Sequence, residues 1–271
     1  MFWNEIKMVE KNVEVGIIGG TGVYDFGIIE DAKKVDIYTP FGRTSSLVTV
    51  GYYKGKKVAF IPRHGHGHRI PPHRIPFRAN IWALKELGVK RIISPSAVGS
   101  LRDDYKPSEI VIVDQFVDRT KRRGDTFYEG GRVCHVSAAD PFCPELRQIF
   151  FKSAREMGIP AHSRGIYVCI QGPRFSTRAE SKLFRSWGID VVGMTLYPEV
   201  VLAREAEICY VSVSMVTDYD VWAEKPVSTK EITETMSKNV NNFKKLVMRT
   251  IPKIPEKRSC TCGNALRDAL V

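Results

Sequence analysis

VEVGIIGGTG, the segment at residues 13–22, joins a short run of branched apolar residues to a turn that is rich in glycine. Branched residues favour a strand, and the missing side chains let backbone N–H groups of the turn approach an anion closely. The dinucleotide-binding pattern G-x-G-x-x-G fails, because its third glycine, counted from Gly20, falls on Asp25. The segment therefore predicts a strand followed by a phosphate-binding turn, with an ordinary tight turn as the alternative.

Further runs rich in valine and isoleucine alternate with segments of helical pattern along the chain. The predicted strands cover residues 13–18, 46–50, 57–61, 91–94, 110–113, 166–170, 190–192 and 209–216. The predicted helices cover residues 76–87, 144–157 and 198–207, and two more open at the capping boxes Thr177-x-x-Glu180 and Ser228-x-x-Glu231. This order predicts one α/β domain over residues 13–252, with a largely parallel sheet whose sites lie at the carboxyl ends of the strands, and a tail over residues 253–271.

The composition of the 271 residues, with 43% hydrophobic and 26% charged side chains, is typical of a globular protein. No apolar run approaches the ~20 residues of a membrane span, and charged residues interrupt the N-terminus before a signal peptide could form. We therefore expect a cytoplasmic protein without a membrane partner. The net charge of +11 favours anionic ligands, and because the basic residues form short groups instead of one stripe, we expect small anions such as phosphate in preference to nucleic acid.

Six cysteines are too few for the disulfide scaffold of a secreted protein, and no Cys-x-x-Cys pair indicates a structural zinc site. Cys260 and Cys262 lie one residue apart near the C-terminus. Such spacing indicates redox pairing or loose metal binding, with two exposed free thiols as the alternative.

A basic segment follows the third predicted strand. Its Arg63 suits a phosphate contact through two N–H groups, and His64 lies directly beside it in the chain. The alternation of His64, His66 and His68 also fits a metal-dependent hydrolase, but the sequence commits no further ligand to such a site. We expect a solvated basic loop, in particular for His66 and His73.

Small or polar residues follow four more predicted strands, in the segments SPSAVGS (94–100), QGPRFST (171–177), GMT (193–195) and TDYD (217–220). We expect the first to form a turn that offers hydroxyls and amides to an oxyanion, and the second to present an aromatic ring that could stack on a planar ligand. The last places two carboxylates one residue apart after an apolar strand. Taken alone, the aromatic ring fits the core better, and the last two segments fit a helix cap or a surface turn better.

Eight segments, in order and without a major gap from about residue 13 to residue 252, together resemble the 5'-deoxy-5'-methylthioadenosine phosphorylases of the purine nucleoside phosphorylase family. The segments are GIIGGTG, PRHG, NIWALKELG, DQFVDRT, HVSAADPFCP, GPRFSTRAES, GMTLYPEV and MVTDYDVW. The resemblance implies a single α/β domain with a mixed, partly barrel-like central sheet flanked by helices. It also implies a homo-oligomer, either a trimer or a dimer of trimers, with the active site near a subunit interface.

The same resemblance implies phosphorolysis of methylthioadenosine to adenine and 5-methylthioribose 1-phosphate in purine and methionine salvage, with adenosine left open as a second substrate. Inorganic phosphate is then a co-substrate, and neither a metal nor an organic cofactor is needed. The alternative within the family is a phosphorylase of 6-oxopurine nucleosides such as inosine and guanosine. Those relatives typically carry a glutamate near Ser176 and an asparagine near Asp218, so the residues here favour an aminopurine.

The resemblance also implies a role for individual positions. The implied phosphate contacts are Thr21, Arg63, His64, Ser96 (where relatives often have threonine), the amide of Ala97, and Thr195. The implied nucleoside contacts are Met194 below the ribose, His135 at the 5' substituent and open to contribution by the neighbouring subunit, Phe175 and Ser176 at the base, and the adenine-reading pair Asp218 and Asp220. A protonated Asp218 would act as the catalytic acid by donating to purine N7, while an ionised Asp220 would accept from the exocyclic amino group.

The Cys-Thr-Cys tail resembles that of heat-stable archaeal relatives. This likeness implies disulfides between Cys260 and Cys262 and between Cys143 and Cys209, of which the first closes a very short and strained ring.

Overall fold

Strands and α-helices alternate along the chain in the order that its apolar pattern predicts. The structure, a computed structural model, describes residues 11–25, 27–223 and 229–271, and within them eleven strands and five α-helices. The strands are β1 (Val15–Gly19), β2 (Glu30–Val35), β3 (Val48–Tyr53), β4 (Lys56–Pro62), β5 (Arg91–Ser100), β6 (Ile110–Ile112), β7 (Gln115–Arg119), β8 (Ala161–His162), β9 (Ile166–Ile170), β10 (Val191–Gly193) and β11 (Cys209–Asp218). The helices are α1 (Phe77–Glu86), α2 (Pro144–Glu156), α3 (Arg178–Ser186), α4 (Leu196–Glu205) and α5 (Thr229–Thr250).

These strands belong to one mixed sheet. Eight of them follow the order β2-β3-β4-β1-β5-β10-β9-β7, and β11, β6 and β8 branch from β5. The start of β5 pairs with β1, its end pairs with β10, and β11 lies parallel to it along most of its length. The predicted single α/β domain with a mixed sheet is confirmed. The sheet is less parallel than the pattern predicts, because β2, β3 and β4 form an antiparallel meander and β10 runs against β5.

β1 illustrates how both faces of the sheet are covered. Its Val15 and Ile17 pack in one hydrophobic core and Ile18 packs in another, because successive side chains of a strand point to opposite faces. Helices α1 and α4 contribute to the core around Ile18, and α2 and α5 contribute to the other. A strand that is buried on both faces reads as a continuous apolar run, which is why the sequence reveals β1.

Every predicted strand and helix is present, with displaced ends. The apolar pattern misses β2, whose residues EDAKKV are exposed and mostly charged, as well as β7 and the two-residue strand β8. The turn expected at residues 94–100 is wrong. These residues continue β5, because they pair in register with β11 from the pair Ser94 and Ser212 to the pair Val98 and Val216.

The capping box that the sequence predicts at Thr177 is confirmed at the start of α3. The Glu180 amide donates to Thr177 Oγ1 at 3.1 Å, and the Thr177 amide donates to Glu180 Oε2 at 2.8 Å. Of the second predicted box, Ser228 lies outside the described residues, and α5 begins at Thr229.

The residues after α5 pack against the segment that contains His135. Val133 and Val271 exchange two backbone hydrogen bonds of 3.1 and 3.0 Å, and the His135 amide donates to the Ala269 carbonyl at 2.7 Å. The domain boundary predicted between residues 252 and 253 stays a prediction. Within the described residues, no helix combines the length and the apolar content that crossing a bilayer requires.

The two predicted disulfides are wrong, since all six cysteines are free thiols. The Sγ atoms of Cys143, Cys209, Cys260 and Cys262 lie within 4.8 Å of one another, and those of Cys209 and Cys260 are 3.3 Å apart. A disulfide requires about 2.05 Å between its sulfurs. The fold therefore gathers four thiols around one centre and joins none of them in a bond.

Candidate active site

Residues from the ends of several strands surround one cavity of about 350 Å³. It lies where β4, β9, β10 and β11 end, beside the turn after β1 and the second half of β5, as expected of an α/β sheet. The cavity is lined by every site residue that the sequence predicts except His135, namely Thr21, Arg63, His64, Ser96, Ala97, Phe175, Ser176, Met194, Thr195, Asp218 and Asp220. Motifs that are weak one by one thus converge on a single place.

His135 is exposed and does not line this cavity. Its segment is bound to the C-terminal tail through the Ala269 carbonyl. Within one chain, the described residues therefore bring the predicted phosphate and base contacts together and leave the predicted 5' contact outside.

A buried ion pair holds Arg63 at one end of the cavity. The side chains of Arg63 and Glu199, the latter on α4, are each 1% exposed, with Nη2 and Oε1 3.0 Å apart and Nε and Oε2 3.1 Å apart. Ser94 and Tyr210 also donate to Glu199 Oε1, at 2.6 and 2.7 Å. A buried pair is stable only when its remaining donors and acceptors are satisfied, and these contacts meet that condition.

The other N–H groups of Arg63 are held by the ends of neighbouring strands. Nη1 donates to the Pro95 carbonyl at 2.7 Å and, at 3.4 Å, to Thr195 Oγ1, while Nη2 donates to the Ile18 carbonyl at 3.2 Å. A Cβ at Gly20 would lie 2.8 Å from Nη1, so the glycine turn also makes room for the guanidinium. Because protein groups already accept from the other N–H groups of Arg63, only the N–H directed at Thr195 is available to an anion. The bidentate phosphate contact expected from the sequence does not fit this geometry.

Two residues that the motifs do not reveal, Glu199 and Tyr167, shape the phosphate end. Glu199 is a carboxylate in the apolar segment LYPEVVLA, and a charge in such a place signals a buried partner. The Tyr167 hydroxyl lies 3.2 Å from Ser96 Oγ and accepts from the Thr195 amide at 3.4 Å. Burial raises the pKa of Tyr167, so it stays a neutral phenol that orients both groups. Nothing in its strand IYVCI distinguishes it from a core tyrosine.

His64 is buried at the same end and is neutral. Its Nδ1 lies 2.8 Å from the Ile70 carbonyl, and its ring stacks on that of His68 at 4.2 Å between centroids. The pKa of His64 is lowered to about 4, first by burial and then by the neighbouring Arg63 and His68, while the hydrogen bond with the Ile70 carbonyl acts in the opposite direction. The exposed His66 lies apart, and among the described residues no set of three metal-binding side chains includes these histidines.

Two carboxyl groups at the end of β11 form the opposite end of the cavity. The Thr217 hydroxyl and the Asp220 amide donate to the two oxygens of Asp218 at 2.6 and 2.7 Å, which fixes its orientation. Asp220 Oδ2 and Ser176 Oγ are buried, and neither has a hydrogen-bond partner among the described residues. Burial raises the pKa of Asp220, and the nearby Asp218 raises it further. Buried polar atoms are normally paired, so these two indicate the place of a polar ligand.

Comparison of the whole chain with known proteins identifies its family. Residues 14–252 match the phosphorylase superfamily. The chain belongs to the phosphorylase superfamily. Over 261 residues it is 59% identical to the S-methyl-5'-thioadenosine phosphorylase of Nitrosopumilus maritimus. This alignment covers 96% of this chain and 99% of that protein.

Solved structures of this superfamily share the fold along nearly the whole chain. A methylthioadenosine phosphorylase sourced from an Antarctic soil metagenomic library superimposes with a TM-score of 0.92 at 42% identity, covering 97% of this chain and 93% of that one. A variant of the adenosine/methylthioadenosine phosphorylase from Schistosoma mansoni, in complex with methylthioadenosine, gives a TM-score of 0.87 at 37% identity, covering 91% of this chain and 93% of that one. The mixed sheet is therefore that of the superfamily.

Replacing Glu199 by glutamine should destabilise this phosphorylase superfamily member by about 3–5 kcal/mol, because the buried guanidinium of Arg63 loses its counter-charge. Chemical denaturation at fixed protein concentration measures the effect. Asp104→Asn is the control, since the pair of Arg102 and Asp104 at 2.7 Å is 44% and 63% exposed and its loss should cost less than about 1 kcal/mol. Equal losses in the two variants would show that Glu199 is not the partner on which Arg63 depends.

The ring of His64 should stay neutral down to about pH 4 in the substrate-free protein. Since the folded-state pKa lies below the ordinary value of 6.5, the unfolded chain binds more protons between pH 6.5 and pH 4, and His64 lowers stability as the pH falls through that window. The Cε1–H resonance of His64, assigned by its absence in His64→Gln, reports the titration by NMR. A midpoint at or above the ordinary value contradicts the described burial of the ring.

Proposed function

We propose that the chain catalyses the phosphorolysis of 5'-deoxy-5'-methylthioadenosine to adenine and 5-methylthioribose 1-phosphate. The observation that carries the proposal is one cavity with hydroxyl and N–H donors at one end and two carboxyl groups, one with an unpartnered oxygen, at the other. The first end suits phosphate and the second suits a base that carries an amino group. The relatives named methylthioadenosine phosphorylase and the neighbour that binds methylthioadenosine support this substrate.

The phosphate end positions the nucleophile. In phosphorolysis, a phosphate oxygen attacks the anomeric carbon while the bond from that carbon to purine N9 breaks, through a state with positive charge on the sugar. Hydroxyl groups of Thr21, Ser96 and Thr195, with one N–H of Arg63, can hold the phosphate below the anomeric carbon. Tyr167 holds two of these groups in place, so little reorganisation is needed when the phosphate reacts.

The base end stabilises the leaving group. The electron pair of the broken bond stays on the purine, and a proton given to N7 neutralises it. We assign the donor role to Asp218, whose orientation is fixed by two hydrogen bonds. We assign the exocyclic amino group to Asp220, whose Oδ2 has no hydrogen-bond partner within the described part of the chain. A 6-oxopurine would present an oxygen to that acceptor, which costs about 1–3 kcal/mol and argues against inosine and guanosine as preferred substrates. Phe175, 74% exposed at the rim, is placed to cover the base.

The complete site includes a neighbouring subunit in this proposal. His135 lies outside the cavity of its own chain, and a trimer or a dimer of trimers would let it reach the 5' substituent of an adjacent site. The reaction needs no organic cofactor and no active-site metal. The six free thiols support a cytoplasmic location, because the cytosol keeps cysteines reduced.

Assays with methylthioadenosine, adenosine, inosine and guanosine, each with and without phosphate, test the proposal. We expect adenine to be released from methylthioadenosine only when phosphate is present, with inosine and guanosine cleaved at least about 10-fold more slowly. Release of base without phosphate would indicate a hydrolase. Inosine cleaved as fast as methylthioadenosine would instead support the 6-oxopurine alternative.

The variants Asp218→Asn and Asp220→Asn separate the two carboxyl roles. Loss of the acid in Asp218→Asn should lower kcat on methylthioadenosine by about 100-fold or more, and by less on inosine. Asp220→Asn supplies a donor to a 6-oxo group, so it should raise the ratio of inosine to methylthioadenosine turnover by about 10-fold. Steady-state kinetics of both variants on both substrates give these ratios. A ratio that stays unchanged in either variant shows that the assignment of that carboxyl group is wrong.

A further inference from the structure

Four cysteines from three distant parts of the chain meet in the core, away from the cavity. Cys143, Cys209 and Cys262 are buried and Cys260 is half-buried, and the four Sγ atoms lie within 4.8 Å of one another. Among the described residues this is the one group of three or more metal-binding side chains with its ligand atoms so close together. We call it the four-thiol cluster.

Backbone hydrogen bonds and a turn of the tail bring the four ligands together. Cys143 is the N-cap of α2, and its amide donates to the Tyr210 carbonyl at 2.9 Å, which brings it beside the start of β11. The Cys209 amide donates to the Lys90 carbonyl at 3.0 Å. Cys260 and Cys262 flank the start of a 3₁₀ turn at Thr261–Asn264 in the tail. Three separately anchored segments thus point their thiols at one centre.

The spacing of the sulfurs fits a shared ion better than bonded pairs. Four thiolates at ~2.3 Å from one zinc ion, arranged as a tetrahedron, have sulfurs ~3.8 Å apart. This value lies between two distances in the cluster. The Sγ atoms of Cys209 and Cys260 are 3.3 Å apart, and all four Sγ atoms lie within 4.8 Å of one another. Two disulfides would require two pairs of sulfurs to approach to ~2.05 Å, well below the 3.3 Å that separates Cys209 and Cys260.

Two features near the cluster favour thiolates. The Leu146 amide donates to Cys143 Sγ at 3.5 Å, and the N-terminus of α2, whose dipole favours thiolate, begins directly after Cys143. The guanidinium of Arg258 packs so closely on Gly263, next to Cys262, that a Cβ there would collide with it. Sulfur ligands in a tetrahedron select zinc over the harder divalent ions.

From this geometry we infer that Cys143, Cys209, Cys260 and Cys262 bind one structural Zn²⁺ that fastens the C-terminal tail to α2 and β11. Each thiol loses its proton to solvent when it binds, and no electron is transferred. The sequence shows half of this site, because Cys260 and Cys262 lie one residue apart, and conceals the other half, because Cys143 lies 119 residues before Cys262.

Metal analysis of the whole protein, purified under reducing conditions and reconstituted with Zn²⁺, tests the inference. We expect one zinc per chain after removal of loose metal, and the absorption of a tetrahedral tetrathiolate centre after replacement by Co²⁺. Loss of a group that only hydrogen-bonds to a metal ligand typically weakens metal binding by ~10–100-fold. Cys262→Ser removes a ligand itself, so it should weaken zinc binding by more than that. Its melting temperature should no longer rise with free zinc. Cys134→Ser is the matched control, since Cys134 is half-buried and lies outside the cluster, and it should behave as the parent does.

Three results would overturn the inference. One is a reduced protein that holds far less than one zinc per chain and gives no cobalt absorption. Another is a zinc affinity that falls equally in Cys262→Ser and Cys134→Ser. The third is a thiol count below six in the denatured, unreduced protein, which would show that cluster cysteines are joined in disulfides. Zinc content and cobalt absorption test the metal site, whereas phosphate-dependent release of adenine tests the proposed phosphorolysis. Either proposal can therefore fail while the other stands.

Discussion

The buried ion pair of Arg63 and Glu199 is the contact on which the organisation of the cavity depends. Through its hydrogen bonds it joins the end of β4 to β1, β5, β11 and α4, and residues on or directly after these four strands line one part of the cavity. Desolvating two charges is costly, and the cost is offset because Ser94, Tyr210 and the carbonyls of Ile18 and Pro95 satisfy most of the groups that the pair itself leaves open. The strand ends therefore cannot shift independently. This rigidity is what a site needs when it must hold two reactants in a fixed relation.

The same pair determines how the cavity treats an anion. Glu199 neutralises Arg63, and the lowered pKa of His64 removes a second positive charge, so the phosphate end contains donors without a net charge of its own. Hydroxyl and N–H groups bind phosphate through short, directional hydrogen bonds more than through long-range electrostatic attraction. The surplus of eleven positive charges then acts elsewhere on the molecule, and we expect it to raise the rate at which phosphate arrives more than the strength with which it is held.

The sequence predicts what depends on local pattern and misses what depends on the distant fold. Strands such as β1 and β9 are continuous apolar runs and are found, whereas β2 is mostly charged and joins the sheet by pairing with β3. The segment at residues 94–100 contains glycine, proline and three serines, the composition of a turn, and its pairing with β11 overrides that preference. In the cavity, the resemblance identifies residues that line it, but only the fold shows that Glu199 and Tyr167 hold them in position. The thiols are read only in part for the same reason, since the spacing of Cys260 and Cys262 indicates redox pairing or loose metal binding, but only the fold brings Cys143 and Cys209 to the same centre.

The strand β11 shows why the four-thiol cluster has a structural role and no part in the chemistry. Cys209 stands at its first residue and Asp218 at its last, and nine steps of ~3.3 Å separate them by ~30 Å along the strand. Over such a distance a bound ion cannot contact a nucleoside, and its field is weak at the base. Its influence runs instead through the tail, which it would fasten to the core and which pairs with the segment of His135. The position of that segment therefore depends on the tail. In the proposed oligomer His135 reaches an adjacent cavity, so the cluster would stabilise the active site of a neighbouring subunit more than that of its own chain.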